Sequence, residues 1–207
     1  MKVAKILLPV AAENCYLAIN EQTNESIIID PGSMPERIKA VVSQSGTTPV
    51  AILLTHGHFD HAGAAAEIAA EYGIQVYAYE GERETLENPA INLSGDMFGD
   101  STVYHADIYL KDDEELDLAG MHFKCLFTPG HTPGGCCFYF PEEGILFTGD
   151  TLFCGSVGRT DFPGGSMSQL VNGIKAKLMV LPDDTICYPG HDSATTIEQE
   201  RVYNPFL

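Results

Sequence analysis

Basic residues are scarce in this chain of 207 residues. Lysine and arginine number 11 against 29 aspartates and glutamates, which gives a formal net charge of −18. Such a charge repels phosphate backbones and anionic membranes, so we expect neither a nucleic acid nor a membrane as partner. Long apolar runs are missing too, since no segment approaches the ~20 residues of a membrane-spanning helix.

The cysteine pattern favours a reducing compartment. Six cysteines are present, but none forms a C-x-x-C pair, and neighbouring Cys136 and Cys137 lie in a strand-like run that should point them to opposite faces. The first residues contain too short an apolar stretch for a signal peptide, and we expect them to form a strand. We therefore predict a cytoplasmic protein with reduced, mostly buried thiols.

The order of apolar runs predicts an α/β protein. Strands are expected at 3–10, 15–20, 26–30, 51–54, 75–79, 115–118, 122–128, 135–140, 144–148 and 185–188, and helices at 35–44, 61–72, 166–181 and 196–203, with a polar, turn-rich excursion at 80–102. Continuous apolar strands fit sheets that are covered on both faces. We predict a single domain over 1–207 with a four-layer αββα sandwich; periodicity alone leaves a doubly wound sheet open.

Histidine and aspartate are concentrated in four short motifs. THGHFDH (55–61), TPGHTPGG (128–135), LFTGDTLF (146–153) and YPGH (188–191) each contain or follow a strand-like run, and they hold five of the seven histidines. Imidazole and carboxylate are ligands that divalent first-row metals prefer. The candidate ligands are His56, His58, Asp60, His61, His131, Asp150 and His191.

Seven ligands without sulfur exceed the four that one tetrahedral zinc uses, and they match two ions if one carboxylate bridges. Two ions that hold a hydroxide between them form a hydrolytic arrangement. We therefore predict two divalent ions, with zinc preferred and iron or manganese also compatible. Asp30, which ends the IIID strand, is a candidate to anchor a ligand imidazole, although it could equally be a simple turn residue.

The four motifs, in this order, resemble those of the metallo-β-lactamase-like hydrolase superfamily, and the resemblance covers nearly the whole chain. It implies two sets of ligands, with Asp150 as the bridge between them. The first ion would be held by His56, His58 and His131, and the second by Asp60, His61 and His191. Asp60, as the residue that orients the hydroxide, and Asp150 are the catalytic residues that the resemblance implies.

Within the superfamily, the residue at 150 discriminates between branches. Zinc β-lactamases carry a cysteine where this chain has Asp150, which disfavours antibiotic hydrolysis. The following GDTLFCGSVGRTDF is similar to the short glyoxalase II-like (hydroxyacylglutathione hydrolase-like) branch. That resemblance implies hydrolysis of a thioester, such as S-lactoylglutathione or a related acyl-thiol, with Arg159 near an anionic substrate group. Only sixteen residues follow His191, so we expect no C-terminal helical glutathione-binding domain.

Three alternatives stay open. GRTDF and the ERVYNP ending also resemble persulfide dioxygenases, whose single iron would be held here by His56, His131 and Asp150. The same metals could serve hydrolysis of a lactone or a phosphodiester. A non-catalytic metal-binding scaffold would retain the cluster without turnover. The sequence does not predict an oligomeric state.

Overall fold

Two six-stranded sheets form the centre of the protein, whose computed structural model describes residues 1–95 and 101–207. The first sheet follows chain order: β1 (Lys2–Leu8), β2 (Glu13–Asn20), β3 (Glu25–Ile29), β4 (Thr48–Leu54), β5 (Gln75–Tyr79) and β6 (Ile108–Leu110). Strands β1 to β3 pair antiparallel, whereas β3 to β6 pair parallel. Parallel neighbours require crossover connections, and helices supply most of these.

The second sheet is mostly antiparallel. Its strands are β7 (Glu115–Leu118), β8 (Met121–Phe127), β9 (Cys136–Phe140), β10 (Ile145–Gly149), β13 (Ile186–Pro189) and β14 (Thr195–Thr196), in the order β14-β13-β10-β9-β8-β7. Only β10 and β13 pair parallel. A small hairpin of β11 (Leu152–Phe153) and β12 (Ser156–Val157) follows β10.

Helices cover the outer face of each sheet. Those of the first half are α1 (Pro35–Ser45), α2 (Phe59–Ala62), α3 (Ala65–Tyr72), a 3-10 turn (Glu80–Glu82) and α4 (Arg83–Glu87). Those of the second half are α5 (Met167–Gly173), which continues as a π-helical turn (Ile174–Leu178), and α6 (Ile197–Tyr203). Within the described ranges, no helix has the length and apolar character needed to span a bilayer.

In the described part of the chain, the core consists of three apolar clusters. One lies between the first sheet and its helices, one between the two sheets, and one between the second sheet and its helices. In β4, Ile52 and Leu54 pack into the cluster beneath α1 and α3, whereas Leu53 faces the second sheet. In β9, Cys136 faces the first sheet and Cys137 the helices outside the second. This period of two buries both faces of each sheet, which confirms the predicted αββα sandwich and the opposite orientation of the two cysteines.

Three local details of the structure differ from the predicted element order. The helix expected at 61–72 is divided into α2 and α3. The Ala64 amide donates a hydrogen bond to the carbonyl of Pro31, 2.9 Å away, and this bond replaces the one that a continuous helix would make there. Strand β6 was missed, since three residues give too little periodicity. The excursion predicted at 80–102 begins with a 3-10 turn and α4, and its residues 96–100 lie outside the described residues.

The inter-sheet core generates a stability prediction. Phe138 is fully buried between the sheets and packs against Phe123. Phe138→Ala should lower the free energy of unfolding by about 3–5 kcal/mol, because it leaves a cavity between two sheets that cannot collapse onto it. Denaturant unfolding monitors the change. Val202→Ala, at a side chain with 63% exposure, should cost less than about 0.5 kcal/mol; equal losses in the two variants would contradict this account of the core.

Candidate metal centre

The predicted ligands follow strands that end at one edge of the sandwich. His56 and His58 come directly after β4, and α2 begins at the next residue. In the second sheet, β8, β10 and β13 run in the same direction, because β8 and β10 both pair antiparallel with β9 and β13 pairs parallel with β10. The loops that follow their carboxyl ends therefore reach the same edge, and they carry His131, Asp150 and His191.

The structure brings all seven predicted residues together. His131 Nε2 lies 3.0 Å from His58 Nδ1, and the ring centroids of His56 and His61 are 4.0 Å apart. His191 Nε2 lies 3.6 Å from an oxygen of Asp60. The side chains form one continuous cluster at the junction of the two sheets, as the sequence predicted.

Asp150 lies at the middle of this cluster. Its Oδ1 is 3.4 Å from His61 Nε2, whereas its Oδ2 is 3.4 Å from His131 Nε2 and 3.5 Å from His191 Nε2. One carboxylate thus faces imidazoles from three different loops.

Three overlapping groups of side chains have donor atoms close enough to share an ion. They are His56, His58 and His131; His56, His61 and Asp150; and Asp60, His61 and His191, with the atoms in each group within 4.8 Å of one another. Several of these atoms are buried without a hydrogen-bond partner among the described residues, namely Nε2 of His56, Nε2 of His61 and Oδ1 of Asp150. Buried polar atoms are normally satisfied, so atoms left over in this way fit a cation.

Asp30, the residue directly after β3, anchors one side of the cluster. Its Oδ2 lies 3.0 Å from His61 Nδ1 and accepts the Thr55 hydroxyl at 2.6 Å, and its Oδ1 accepts the Thr55 amide at 2.7 Å. A carboxylate on Nδ1 fixes the tautomer that leaves Nε2 as the free acceptor. Of the two interpretations of Asp30 that the sequence allowed, the structure supports the anchor.

His131 has a corresponding anchor on the other side. Its Nδ1 donates to the backbone carbonyl of Arg159 at 2.7 Å, which leaves Nε2 to face the cluster. The Phe162 ring lies edge-on to His58 and His131, with centroids 5.6 and 6.4 Å away. The loop after β12 therefore orients the His131 imidazole through Arg159 and covers the His58 and His131 rings with Phe162.

The electrostatics of the metal-free cluster keep His56, His58 and Asp150 in the forms that bind cations. Burial, reinforced by neighbouring imidazoles, holds the pKa of His56 and of His58 well below the ordinary value. Burial would also lower the pKa of His61, but Asp150, Asp60 and Asp30 together raise it. For Asp150, burial opposes ionisation, yet the surrounding imidazoles hold its pKa well below the ordinary value. Neutral His56 and His58 beside an ionised Asp150 have the forms that a metal requires, whereas the raised pKa of His61 means that metal binding must displace a proton from it.

A cavity of about 500 Å³ opens onto the cluster. Its wall is largely apolar and includes Phe59, Leu93, Phe153, Val157 and Phe162. Arg159 also lines it, but the guanidinium makes two hydrogen bonds to the Asp161 carboxylate at 2.7 and 2.6 Å and stacks on Phe162. The predicted substrate-binding arginine is thus at the cavity, with its charge paired to a neighbour.

A sequence profile described as the metallo-beta-lactamase superfamily matches residues 8–191. The chain belongs to this superfamily. Among its relatives, the probable metallo-hydrolase YqgX of Bacillus subtilis is 38% identical over 195 residues, covering 94% of this chain and 92% of that protein. The hydroxyacylglutathione hydrolase GloC of Haemophilus influenzae is 38% identical over 209 residues, covering 97% and 96%.

Solved structures of the superfamily share the fold over almost the whole chain. The BLEG-1 B3 metallo-beta-lactamase has a TM-score of 0.94 at 39% identity, covering 100% of this chain and 99% of that one. TTHA1623 in a di-iron-bound form has a TM-score of 0.85 at 37% identity, covering 99% and 100%. ETHE1 from Myxococcus xanthus has a TM-score of 0.82 at 27% identity, covering 99% and 84%. With the histidine and aspartate cluster, these findings identify a metal-dependent hydrolase of the metallo-beta-lactamase superfamily that uses divalent metal.

Sequence reasoning missed two buried acids near the centre. Glu82 accepts hydrogen bonds beside the ligand loops, in a segment that was expected to be turns. Glu13, the first residue of β2, is fully buried, and neither carboxyl oxygen has a hydrogen-bond partner among the described residues. A signal for Glu13 was available, since an acid opening the apolar run ENCYLAI has little chance of reaching solvent.

Glu13 generates a prediction about stability and pH. Burial raises the pKa of Glu13 well above 4.5, so the folded state keeps its proton at pH values where the unfolded state has lost it. The wild type therefore loses stability as the pH rises above the unfolded value. In the metal-free protein, Glu13→Gln removes this loss and should be more stable than the wild type by about 1–3 kcal/mol at about pH 8.

Near roughly pH 4, where both states of the wild type are protonated at Glu13, the advantage of Glu13→Gln should vanish. Urea unfolding at the two pH values measures the difference. An advantage of equal size at both would mean that ionisation of Glu13 is not its cause.

Proposed function

We propose that this protein hydrolyses thioesters of small acyl-thiols with two divalent metal ions. The observation that carries the proposal is Asp150, whose two oxygens face imidazoles from both halves of the cluster. Its position supports a bridging role between two ions. A single ion would need only one of the three groups of candidate ligands described above. The di-iron form of TTHA1623, a relative at 37% identity, supports two ions in a site of this kind.

We assign three side chains to each of two ions, with Asp150 as the bridge between them. His56, His58 and His131 would hold the first ion, and burial lowers the pKa of His56 and of His58, which keeps these two imidazoles neutral. The second ion would be held by Asp60, His61 and His191. Nitrogen and oxygen donors without sulfur suit zinc, iron and manganese, and zinc is our first choice because the reaction proposed is hydrolysis.

The residues around the ions would position the reactants. Bound divalent metal supplies a nucleophilic water at neutral pH and polarises a carbonyl oxygen. Asp60 lines the cavity with Oδ2 3.6 Å from His191 Nε2, and its carboxylate would orient the attacking water and accept its proton. The apolar wall of Phe59, Phe153 and Phe162 limits bulk water beside the scissile bond, which strengthens every charge interaction there.

The choice of thioester rests on the relatives and on the cavity. GloC of Haemophilus influenzae, at 38% identity over nearly the whole chain, is named a hydroxyacylglutathione hydrolase. The cavity of about 500 Å³ fits a small acyl group beside the ions. Arg159 at its mouth would meet an anionic group of the thiol carrier by exchanging one of its bonds to Asp161.

Two further candidates have a specific observation in their favour. The likeness to ETHE1 of Myxococcus xanthus supports the persulfide dioxygenase alternative, with one iron at His56, His131 and Asp150. The likeness to the BLEG-1 B3 metallo-beta-lactamase at 39% identity makes β-lactam hydrolysis a candidate despite the aspartate at 150. Both relatives share the fold of this chain, so turnover must separate these activities from thioester hydrolysis.

The proposal predicts turnover of S-lactoylglutathione by zinc-loaded protein. Asp150→Ala should reduce kcat/KM by about 1000-fold or more, because it removes the carboxylate between the two ions. A spectrophotometric assay of thiol release measures it. Asp117→Ala is the matched control. Within the described residues the side chain of this surface aspartate bonds only His122, so its loss should leave turnover unchanged.

A substrate panel distinguishes the three activities. The zinc-loaded protein is compared on S-lactoylglutathione and on a chromogenic β-lactam, and the iron-loaded protein on glutathione persulfide with oxygen uptake. Thioester turnover well above the other two is expected. Oxygen uptake by the iron form without thioesterase activity in the zinc form would replace our proposal with the dioxygenase.

A further inference from the structure

The short helical segment after β5 lies across two loops that bear ligands. Gly57, between His56 and His58, packs against this segment so closely that an added Cβ would lie 2.9 Å from the Leu86 amide nitrogen. Gly134, three residues after His131, would place a Cβ 2.2 Å from the Glu82 nitrogen. One segment, residues 80–87, therefore contacts a loop from each sheet at backbone distance.

Glu82 links the two loops by hydrogen bonds. Its Oε1 accepts the Gly57 amide at 2.8 Å. Its Oε2 accepts the Gly134 amide at 2.8 Å and the Thr132 hydroxyl at 3.1 Å. Each carboxyl oxygen thus holds a different loop, and each loop is held within two or three residues of a predicted ligand.

The Glu82 side chain is buried, so bulk water cannot replace a donor that moves away from its carboxylate. The residue is fully buried, and burial raises the pKa of its carboxyl to about 7 although the amides of Gly57 and Gly134 favour the charged form. A buried carboxylate needs its donors, so the donors cannot move apart without leaving it unsatisfied. The cost of an unsatisfied buried carboxylate therefore opposes displacement of either loop.

We propose that Glu82 is a positioning residue that fixes the His56–His58 loop against the His131 loop, and so sets the affinity for the metal ion these three histidines hold. The inference rests on the proposed metal centre but not on its substrate. The three ligands come from two different sheets, and their separation depends on how the sheets meet. Glu82 connects the sheets at that point, whereas Asp30 bonds Thr55 and His61 within the first half of the chain.

Zinc affinity of the metal-free protein tests the inference without any substrate. Glu82→Gln keeps the shape of the side chain, but its amide nitrogen cannot accept the bonds that one carboxylate oxygen accepted. Competition with a chromophoric chelator measures the affinity for each of two zinc equivalents. The affinity for one of them, the ion at His56, His58 and His131, should fall by about 10- to 100-fold. Hydrogen exchange of the Gly57 and Gly134 amides should become faster in the same variant.

Glu200→Gln is the matched control. Glu200 is also fully buried and accepts hydrogen bonds from Thr195, Gly155 and Asn204, but it bonds no loop segment next to a predicted ligand of the first ion. Its replacement should lower the melting temperature yet change zinc affinity by less than about 3-fold. Thr132→Val, which removes one donor and keeps the carboxylate, should weaken the same zinc equivalent less than Glu82→Gln does and serves if that variant does not fold.

Wild-type zinc affinity in Glu82→Gln, or in Thr132→Val if only that variant folds, would overturn the inference. An equal loss of affinity in Glu200→Gln would also overturn it, since any buried acid would then have the same effect. Failure of the wild type to bind zinc, iron(II) or manganese(II) would refute the metal centre and this inference together. Zinc binding without thioester turnover would refute only the proposed substrate.

Discussion

Convergence of seven metal-binding side chains at one buried edge is the constraint on which the rest of the structure depends. His56, His61 and Asp150 each present a buried atom without a hydrogen-bond partner among the described residues. Leaving such an atom unsatisfied costs roughly 1–3 kcal/mol, so the cluster without bound cations destabilises the folded state. Divalent cations offset that cost, and on our proposal their binding free energy also stabilises the junction of the two sheets.

The sandwich supplies rigidity where the cluster needs it. Strands β4, β8, β10 and β13 end at the same edge, and fully buried residues such as Phe123 and Phe138 hold the two sheets together behind it. Two carboxylates then complete the support, namely Asp30 directly after β3 and Glu82 in the segment after β5. Ligands on short loops, with anchored neighbours, lose little freedom when an ion binds.

The layers of the fold and the convergence of the histidines and aspartates could be predicted from the sequence, because both leave strong patterns. Apolar runs in β4 and β9 reveal the buried sheets, and the motif THGHFDH has no simple structural explanation. The supports were harder to predict. Glu82 is one acid in a segment rich in acids, and only its contacts with Gly57 and Gly134 distinguish it. The break between α2 and α3 depends on a bond to Pro31, thirty-three residues before Ala64, which no local periodicity can show.

Anomalous diffraction from crystals of the zinc-loaded protein tests the central claim most directly. Our account predicts two peaks at the zinc edge, one bounded by His56, His58 and His131 and the other by Asp60, His61 and His191, with Asp150 between them. A single peak, or peaks away from these side chains, would contradict it.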